Sequence, residues 1–435
     1  MQSIWQISGQ SPQFNKLTKD IKTDILIIGG GIAGLLTAYM LKQHGADYTL
    51  LEARNIAGGN TLNTTAKITF QHGLVYQKIL KAYGAGCAQG YLLSQKSALE
   101  NYFKLFKNIE CDLETKDSFV YTQGDMAALE RELLALDRIG YKADLASTPL
   151  LPFKTEGAVK FKNQAQFNPI KLMHAISKEL NIYQNSRVLR LCGNTAITDS
   201  GKVTAKRIVV ATHFPFINKH GFYFLKMYQH RSYVIALKDA ADVGGMYIGV
   251  AQNSLSLRNY NGYLLVGGGG HRTGEKGEAF KALDQFHKTC YPGAIKQYSW
   301  AAQDCMSPDG IPYIGRYSRS TPNLYVISGF SKWGMTNAMV AATLITDMLS
   351  GIKNPYAKIY DPSRSMLKPQ VAVNALKAAK NLAAFTTKRC PHMGCALKYN
   401  KYEHSWDCAC HGSRFTKDGK VIDNPANGDL KNSRP

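Results

Sequence analysis

The sequence predicts an α/β protein in which a nucleotide-binding sheet is followed by a small β segment, and three observations lead to this fold class. An apolar run from Asp24 to Ile28 meets three glycines and continues as a helical pattern, the order of strand, turn and helix that opens a nucleotide-binding unit. Near the other end, four of the nine cysteines lie within 21 residues, from Cys390 to Cys410. The 435 residues, 45% of them apolar, are enough for about two to three domains with their own cores.

The composition excludes several classes of protein. No apolar stretch reaches the roughly 18 residues of a membrane span, because glycines interrupt the run from Ile25 to Leu36. Residues 1–20 lack the features of a signal peptide, so we expect a cytoplasmic protein. The net charge of +22 comes from lysines scattered along the chain, which predicts a solvated basic surface and no nucleic-acid site. Residues 351–435 carry 15 Lys and Arg against 6 Asp and Glu, which favours an acidic partner or substrate.

The glycines have the spacing of a dinucleotide-binding turn. Gly29 permits the tight turn, Gly31 lets the backbone approach a pyrophosphate, and Gly34 lets the helix pack on the strand. A second predicted strand, Tyr48–Leu51, ends at Glu52, which lies 18 positions after Gly34 and would accept hydrogen bonds from a ribose. These features predict a nucleotide site without separating FAD from NAD.

Further motifs follow in a consistent order. Glu52–Arg54 precedes a second glycine loop, Asn168–Pro169 opens a helix, Ser186–Val188 and Ile208–Thr212 are predicted strands, and the motifs Pro308–Gly315 and Gly329–Thr336 close the region. With these motifs the sequence resembles the FAD-dependent oxidoreductases that include glycine oxidase and D-amino-acid oxidase. The resemblance implies FAD as the cofactor, bound by Gly29, Gly31, Ile32, Ala33, Gly34, Glu52, Ala53, Arg54, Gly59, Thr64, Thr65, Val188, Ala211, Thr212, Gly315, Gly329, Gly334, Met335 and Thr336.

A second helix N-terminus favours FAD over NAD. A helix is predicted from Asn337 to Leu349, directly after the last glycine motif. Its free N–H groups and positive dipole end would stabilise the negative charge that a reduced flavin carries at N1 and C2=O. An ordinary helix cap after a glycine loop is the alternative interpretation.

The resemblance also implies a Rossmann-like FAD-binding domain assembled from discontinuous segments. We expect the oxidoreductase unit to span 1–352, with FAD-binding segments at about 23–75, 155–215 and 300–352. The segments at about 76–154 and 216–299 would form a mixed α+β substrate domain. Residues 353–385 are predicted to be a linker with one helix, Pro369–Phe385, and 386–435 a separate small all-β segment.

Lys67 and Arg258 are the predicted catalytic residues. Lys67, or His72 shortly after it, is expected near the flavin, where a lysine could hold a substrate carboxylate or the anionic reduced flavin. A solvent-facing loop lysine is the alternative. Arg258, Arg231 and Arg272 are candidates for binding a substrate carboxylate through two parallel hydrogen bonds, although each could instead be a surface arginine.

Each of two short motifs near the C-terminal end contains both cysteine and histidine. The pattern is Cys-x-His, fifteen residues, then Cys-x-x-His, and with it the segment resembles a Rieske 2Fe-2S protein. The assignment of ligands is Cys390 and Cys408 to one iron and His392 and His411 to the other. Tetrahedral zinc is the alternative, although its usual spacing pairs cysteine with cysteine and histidine with histidine.

The resemblance implies further features of this segment. Cys395 and Cys410 match the two cysteines that form a disulfide in respiratory-type Rieske domains. Ser413 is at the position of a hydroxyl that is hydrogen-bonded to the cluster, and Phe415 stands where high-potential members have Tyr, which should lower the potential. Only 24 residues follow His411, so we expect a shortened β-domain whose cluster is exposed or covered by the FAD domain or another subunit.

Together these motifs predict an FAD-dependent oxidoreductase with a Rieske outlet. FAD takes two electrons from a substrate, whereas a 2Fe-2S cluster carries them one at a time. We expect a protein partner that exchanges electrons with the cluster, either as an acceptor or as a donor. We expect oxidation of a small amine, amino acid or similar acid. The alternatives are a dehydrogenase of 2-hydroxy acids or polyol phosphates, and a non-catalytic redox sensor or electron-transfer protein.

Overall fold

The computed structural model describes residues 1–251, 253–365, 368–386 and 388–430. Within this described part the strands form three sheets: one that carries the nucleotide motif, a second mixed sheet, and a small antiparallel sheet near the C-terminal end. The expected fold class, α/β with a small all-β segment, is confirmed.

The strands, in chain order, are β1 Ile21–Ile28, β2 Tyr48–Leu51, β3 Lys67–Ile68, β4 Glu114–Thr122, β5 Asp144–Ala146, β6 Gly157–Gln166, β7 Ile182–Tyr183, β8 Arg190–Cys192, β9 Thr195–Ile197, β10 Lys202–Val210, β11 Tyr228–Lys238, β12 Met246–Gly249, β13 Ser256–Tyr260, β14 Tyr263–Arg272, β15 Ile295–Met306, β16 Tyr313–Arg316, β17 Leu324–Ser328, β18 Leu397–Asn400, β19 Ser405–Cys408, β20 Arg414–Thr416 and β21 Val421–Asp423.

The α-helices are α1 Ile32–Gln43, α2 Val75–Tyr83, α3 Ala85–Phe106, α4 Met126–Arg138, α5 Pro169–Ser177, α6 Tyr223–Lys226, α7 Lys281–Cys290, α8 Gly334–Leu349 and α9 Pro369–Ala383. Short 3-10 helices lie at Ile4–Ile7, Asn60–Asn63 and Ala357–Tyr360. In the described ranges, no helix combines the length and apolar character needed to cross a membrane.

The first sheet places the glycine turn at the carboxyl edge of its central strands. Its order is β16-β17-β10-β1-β2-β7, and β1 runs parallel to both β10 and β2, so that Ile28 lies opposite Val210 and Leu51. Because such a strand is buried on both faces, β1 is a continuous apolar run at its end. α1 and α8 pack against each other, and the N-termini of both helices face the same edge of the sheet.

The second sheet forms the opposite wall of the site. Its order is β15-β11-β14-β13-β12-β4-β6-β3, with β11 paired antiparallel to both β14 and β15. β14 contains four consecutive glycines, Gly267–Gly270. Because glycine has no side chain, this part of the strand leaves open space on the side that faces the first sheet. The mixed α+β character expected of the middle segments is therefore present.

Several expected boundaries differ from those in the structure. β6 and β15 belong to the second sheet, although 155–166 and 300–306 were expected in FAD-binding segments, because both strands find antiparallel partners there. Ser186–Val188 is not a strand. The Ser186 amide donates one hydrogen bond to Glu52 O, but the segment forms no ladder of backbone hydrogen bonds. α8 begins at Gly334, three residues earlier than predicted. Asn168 caps α5 as expected, its side chain accepting hydrogen bonds from the amides of Ile170 and Lys171.

The C-terminal segment is a compact antiparallel sheet, β18-β19-β20-β21, that packs on the oxidoreductase unit beside α9. Its short core contains Leu397, Phe415 and the four clustered cysteines. The Gly274 backbone lies directly against Ala409, and Gly412 lies directly against Gln229. Of the alternatives for this shortened segment, the structure therefore has the one in which the FAD domain covers it.

We expect Gly274→Ala to weaken this docking. A Cβ on Gly274 would lie 2.5 Å from the Ala409 nitrogen, and the residue has a φ of +75°. Gly262→Ala is the matched control, because Gly262 has a φ of +78° with nothing within 4 Å of its added Cβ. Urea unfolding should show a loss of about 1–3 kcal/mol for Gly274→Ala beyond that of the control. Equal losses in the two variants would contradict the close packing.

Candidate active site and metal centre

A cavity of about 710 Å³ lies between the two large sheets. The glycine turns line one side, strands β11 to β15 line the other, and residues of the C-terminal segment, including Asp423 and Asn424, contribute a third wall. This volume is within the roughly 300–1,000 Å³ typical of sites for ligands and cofactors. The cavity therefore brings the predicted cofactor site and the C-terminal segment together.

The glycines of the turn meet different requirements of a dinucleotide site: some allow the chain to pack closely, and one leaves space for the ligand. A Cβ on Gly29 would lie 2.6 Å from Ala211 O, and one on Gly34 would lie 1.9 Å from Gly29 O, so both must be glycine for the chain to pack. A Cβ on Gly31 would have only the Thr61 hydroxyl within reach, at 3.5 Å. The open space at Gly31 faces the cavity, where a pyrophosphate would approach the backbone.

Two helix N-termini supply hydrogen-bond donors to this cavity. α1 begins after Gly31 and α8 after Trp333, and neither has a side-chain cap. Gly334 and Met335, in the first turn of α8, line the cavity. Because α8 begins at Gly334, its first amides are available to the anionic part of a flavin.

Glu52 has the position expected of a ribose ligand. It follows β2 directly, and its Oε2 accepts a hydrogen bond from the Gly30 amide at 2.7 Å, while Oε1 accepts one from the Arg54 amide at 2.8 Å. These bonds fix the carboxylate at the cavity edge and leave lone pairs for further donors.

Most of the predicted cofactor residues line the cavity: Gly29, Gly31, Ile32, Ala33, Glu52, Ala53, Arg54, Gly59, Thr64, Thr65, Val188, Ala211, Thr212, Gly329, Gly334 and Met335. Three do not. Gly34 lies behind the turn, and Gly315 faces Pro362 and Met348. The Thr336 hydroxyl instead contacts His72 and Thr69 O. We therefore retain the first group as proposed FAD ligands and assign these three to packing.

Lys67 is a buried lysine that faces the cavity. Its Nζ donates to the Ser256 hydroxyl and, at 3.5 Å, to Tyr247 O. Burial and the nearby Arg258 guanidinium lower the pKa of Lys67 to about 7. An amine with that pKa can exchange a proton near neutral pH. His72, the other candidate here, is enclosed between Tyr91, Thr336 and the Trp333 ring and does not line the cavity.

Arg258 does not reach the cavity, in contrast to its predicted catalytic role. It is fully buried, donates to Ala66 O at 2.7 Å, and lies over the rings of Trp5 and Tyr260. Burial lowers the pKa of Arg258 to about 9. The residue thus holds the backbone next to Lys67 and places a positive charge behind it.

The other two candidate arginines are engaged by the C-terminal segment. Arg272 donates to Ala409 O at 3.3 Å and to Cys410 O at 3.2 Å. Arg231 lines the cavity but forms a buried ion pair with Glu403 through two hydrogen bonds. Burial opposes ionisation of Glu403, but Arg231 and Arg414 hold the pKa of its carboxyl below the ordinary value.

The predicted metal ligands come together in pairs. The Nδ1 atoms of His392 and His411 are 3.2 Å apart, and the thiols of Cys390 and Cys408 are hydrogen-bonded to each other. Burial lowers the pKa of His392 to about 4 and that of His411 to about 3, so both imidazoles are neutral and able to bind iron. Two thiols beside two imidazoles are the donor set of a Rieske cluster.

Hydrogen bonds to the cysteine sulfurs complete this arrangement. The Cys408 thiol and the Ser413 hydroxyl both contribute to lowering the pKa of Cys390, as do the amides of His392 and Met393. Such donors to sulfur raise the potential of an iron-sulfur centre. Ser413 therefore has the contact that was expected of it.

Cys395 and Cys410 are joined in a disulfide, with their Cα atoms 6.6 Å apart. In the described residues, the sulfur atoms of Cys395, Cys408 and Cys410 all lie within 4.8 Å of one another, close enough to be considered as metal ligands. The disulfide removes two of these three as thiolate ligands, so this group does not compete with the pairs above. The bridge joins the two ligand loops instead.

The oxidoreductase unit covers the cluster loops. Asn218 Oδ1 lies 2.7 Å from His392 Nε2. The rings of Phe214 and Phe224 lie near the His411 ring, with centroid distances of 6.4 and 6.1 Å. Only 2% of the His411 surface is exposed. The imidazole edges therefore face the oxidoreductase unit rather than open solvent.

Three residues at this junction were not singled out from the sequence. Gln303 lines the cavity and donates to Gly412 O at 2.9 Å and to Gln229 Oε1 at 2.7 Å. Gln229 donates to His411 O and Asn424 O, both at 2.8 Å. Asn424 in turn donates to Phe214 O at 2.6 Å. Glutamine and asparagine carry no spacing signal for such contacts, so only the structure identifies them.

Comparison with known families agrees with both parts of the chain. Residues 24–348 match the model of the FAD dependent oxidoreductase family, and residues 362–434 match the Rieske [2Fe-2S] domain. The chain belongs to the FAD-dependent oxidoreductase family and carries a C-terminal Rieske domain. Its cofactors are FAD and a 2Fe-2S cluster, which sets aside the NAD and zinc alternatives.

Individual relatives share this organisation or its larger part. The protein YhfW of Bacillus subtilis (strain 168), named as a Rieske 2Fe-2S iron-sulfur protein, is 32% identical over 99% of this chain and 97% of its own length. Gamma-glutamylputrescine oxidoreductase of Escherichia coli (strain K12) is 24% identical over 78% of this chain and 86% of its own.

Solved structures agree in fold. L-proline dehydrogenase from P. horikoshii has a TM-score of 0.67 at 18% identity and covers 79% of this chain and 98% of its own. Glycine oxidase from Geobacillus kaustophilus has the same TM-score at 16% identity and covers 79% and 99%. At these identities the likeness shows the fold alone.

We expect Cys408→Ser to abolish the low-temperature EPR signal of the reduced cluster while flavin absorbance stays unchanged, because the variant removes one thiolate ligand. Cys305→Ser is the matched control: Cys305 is equally buried, has a free thiol and lies outside the cluster. A full Rieske signal in Cys408→Ser, or its loss in Cys305→Ser, would refute the ligand assignment.

Proposed function

We propose that this protein oxidises a small amine, amino acid or similar acid at the FAD site and passes the electrons singly through the Rieske cluster to a partner protein. The observation that carries the proposal is a single cavity lined by the glycine cradle, by Lys67 and by residues of the Rieske domain. Substrate, FAD and the Rieske domain would all meet in this one space.

The relatives support a substrate that contains nitrogen. The names of gamma-glutamylputrescine oxidoreductase, L-proline dehydrogenase and glycine oxidase all refer to amines or amino acids. L-α-glycerophosphate oxidase, with a TM-score of 0.60, represents the hydroxyl-oxidising alternative on the same fold. Lys67 suits either class, because an ammonium and a hydroxyl group each lose a proton in such an oxidation. The preference for the first class therefore rests on the names of the relatives.

The chemistry divides between the cofactors and the chain. When bound, FAD accepts a hydride and the 2Fe-2S cluster carries single electrons. The substrate's ammonium loses a proton, its C–H bond then breaks with the electron pair leaving as hydride, and the nitrogen lone pair forms the C=N bond of an iminium product. Lys67 in its neutral form accepts the first proton at Nζ, assisted by Ser256, which fixes the Lys67 side chain.

Contacts at the domain junction support electron transfer within the chain. Gln303 lines the cavity and reaches the cluster loop both directly, at Gly412 O, and through Gln229, which binds His411 O. This route is a short chain of buried hydrogen bonds. It leads from the proposed FAD site to the loop that carries two of the four proposed ligands.

The surface beside the cluster supports an acidic partner protein. From Pro362 to Tyr402 the sequence has eight Lys and Arg and no Asp or Glu. Four of these cations, Lys380, Arg389, Lys398 and Lys401, are exposed, whereas Arg364 pairs with Asp309 and Lys377 with Glu275. Phe385 is fully exposed and Met393, next to His392, is 39% exposed. A basic face with an apolar centre steers and holds a partner of opposite charge. The cytoplasmic location stays a prediction.

An anaerobic substrate panel tests the proposed function. Bleaching of the flavin by amines or amino acids supports it. Bleaching by 2-hydroxy acids or polyol phosphates alone would favour the first alternative. If neither class reduces the flavin and only a protein donor does, the electron-transfer alternative stands.

We expect Lys67→Met to lower the limiting rate of flavin reduction by about 100-fold or more, the usual contribution of a general base. In the unmodified protein this rate should rise with pH through about 7, because the pKa of Lys67 is lowered to about 7 and its neutral form predominates above that pH. The variant should lose this inflection. Stopped-flow absorbance at saturating substrate measures both effects.

Lys226→Met is the matched control for this measurement. Lys226 is also a buried lysine, with a pKa lowered by burial to about 8, but it donates to Pro362 O and lies outside the cavity. Its variant should keep the inflection near pH 7. An unchanged pH profile in Lys67→Met would contradict the proposed role.

We expect Lys380→Glu combined with Lys398→Glu to slow electron transfer to an acidic blue-copper protein, because two exposed cations of the basic face become anions. Increasing salt should slow the reaction of the unmodified protein in the same way. Lys22→Glu with Lys78→Glu, two exposed lysines on the oxidoreductase unit, is the control. Faster transfer to basic cytochrome c than to the acidic probe, at low salt, would refute an acidic partner.

A further inference from the structure

The strongest unexplained feature beside the cavity is a carboxylate of the Rieske domain, Glu403, which binds two residues of the cavity lining, Arg231 and Tyr233. Glu403 lies in the turn between β18 and β19, and 3% of its side chain is exposed. Its Oε1 accepts from Arg231 Nε at 3.1 Å and from the Tyr233 hydroxyl at 3.1 Å. Its Oε2 accepts from Arg231 Nη2 and, at 2.7 Å, from Arg414 Nη2. Both oxygens of this carboxylate are therefore fully engaged.

Arg231 and Tyr233 both lie on β11, and both line the cavity. An arginine with two parallel hydrogen bonds, supported by a tyrosine hydroxyl, is an effective site for a carboxylate. In this chain that site already holds one, and it belongs to the protein. A substrate carboxylate could bind there only by displacing Glu403, which would leave a buried charge without its partner.

The remaining cations of the substrate side offer no equivalent site in the described residues. Arg272 binds backbone carbonyls of the Rieske loops, and Arg258 lies outside the cavity lining. Lys67 contacts only neutral groups, and its pKa of about 7 suits proton transfer. Lys332 also lines the cavity, but a lysine is a point charge without the paired, fixed donors of an arginine.

We propose that the substrate is an amine whose reacting carbon carries no carboxylate, and that Glu403 sets this preference by occupying Arg231. The proposal rests on the proposed oxidation of a nitrogen compound and narrows its substrate class. The Rieske domain thus takes part in substrate selection as well as in electron transfer. Glu403 acts through Arg231 and is a specificity-determining residue rather than a catalytic one.

Matched pairs of compounds test the proposal on the holoenzyme: benzylamine against phenylglycine, and ethylamine against alanine. The ratio of kcat/KM for flavin reduction within each pair is the readout. We expect the unmodified protein to favour the amine by more than about 10-fold, since an unpaired buried charge is costly. Glu403→Gln should shift the ratio at least about 10-fold towards the carboxylated member, because it releases Arg231.

Two further variants separate a specific effect from a general loss of structure. Glu275→Gln removes a carboxylate that pairs with Lys377 of α9 outside the cavity, and it should keep the original ratio. Arg231→Leu combined with Glu403→Gln should lose the gain for carboxylated substrates. Flavin and cluster spectra confirm that each variant retains both cofactors. A change in the ratio, unlike a drop in both rates, does not follow from misfolding.

The outcomes distinguish this proposal from the function on which it rests. If phenylglycine or alanine reduces the unmodified protein faster than its amine, the proposal is wrong while oxidation of a nitrogen substrate stands. If Glu403→Gln leaves the ratio unchanged, Glu403 does not set the preference. If none of these compounds nor any other amine reduces the flavin, the proposed function and this inference both fall.

Discussion

The structure depends on a buried ion network that joins the Rieske domain to the cavity wall. Arg231 of β11 and Arg414 of β20 share Glu403, and Arg414 also binds Asp407 at 3.1 Å and Asp423 at 3.1 Å. Buried charges are costly unless each has its partners in good geometry. The network therefore forms only when the domain is docked in one orientation, which fixes where the cluster loops lie.

This dependence explains how so short a Rieske domain can exist. Its own core is small, with a few apolar residues around four cysteines, and a segment of this size buries too little surface to be stable alone. The oxidoreductase unit packs directly against the cluster loops: Gly412 lies on Gln229 of β11, and Gly274, just after β14, lies on Ala409. The contacts that stabilise the domain are thus the same ones that bring the cluster loops close to the cavity.

Local features of the sequence predicted much of the fold and site, and distant pairings were beyond its reach. Gly29, Gly31 and Glu52 belong to a single motif formed by β1, α1 and β2, which follow one another in the chain, and Tyr48–Leu51 is the strand that was predicted. Arg231 was a candidate for binding a substrate carboxylate, but the carboxylate that it binds belongs to Glu403, which is 172 residues away in another domain. Thr336 and Gly315 belong to the right motifs, yet a motif does not specify which way a side chain faces. Ser186–Val188 has strand-like residues but lacks a neighbouring edge to pair with along its length.

The distribution of charge gives the surface and the cavity different roles. The chain carries a net charge of +22, and the stretch without Asp or Glu, Pro362–Tyr402, has exposed cations such as Lys380 and Lys398 at the surface. Inside, Glu403 neutralises Arg231, and burial with Arg258 behind it brings Lys67 close to losing its proton at neutral pH. A strongly basic protein thereby keeps little free positive charge on the substrate side of its cavity. Such a cavity does not repel a substrate that arrives as a cation, which is the state of an amine at neutral pH.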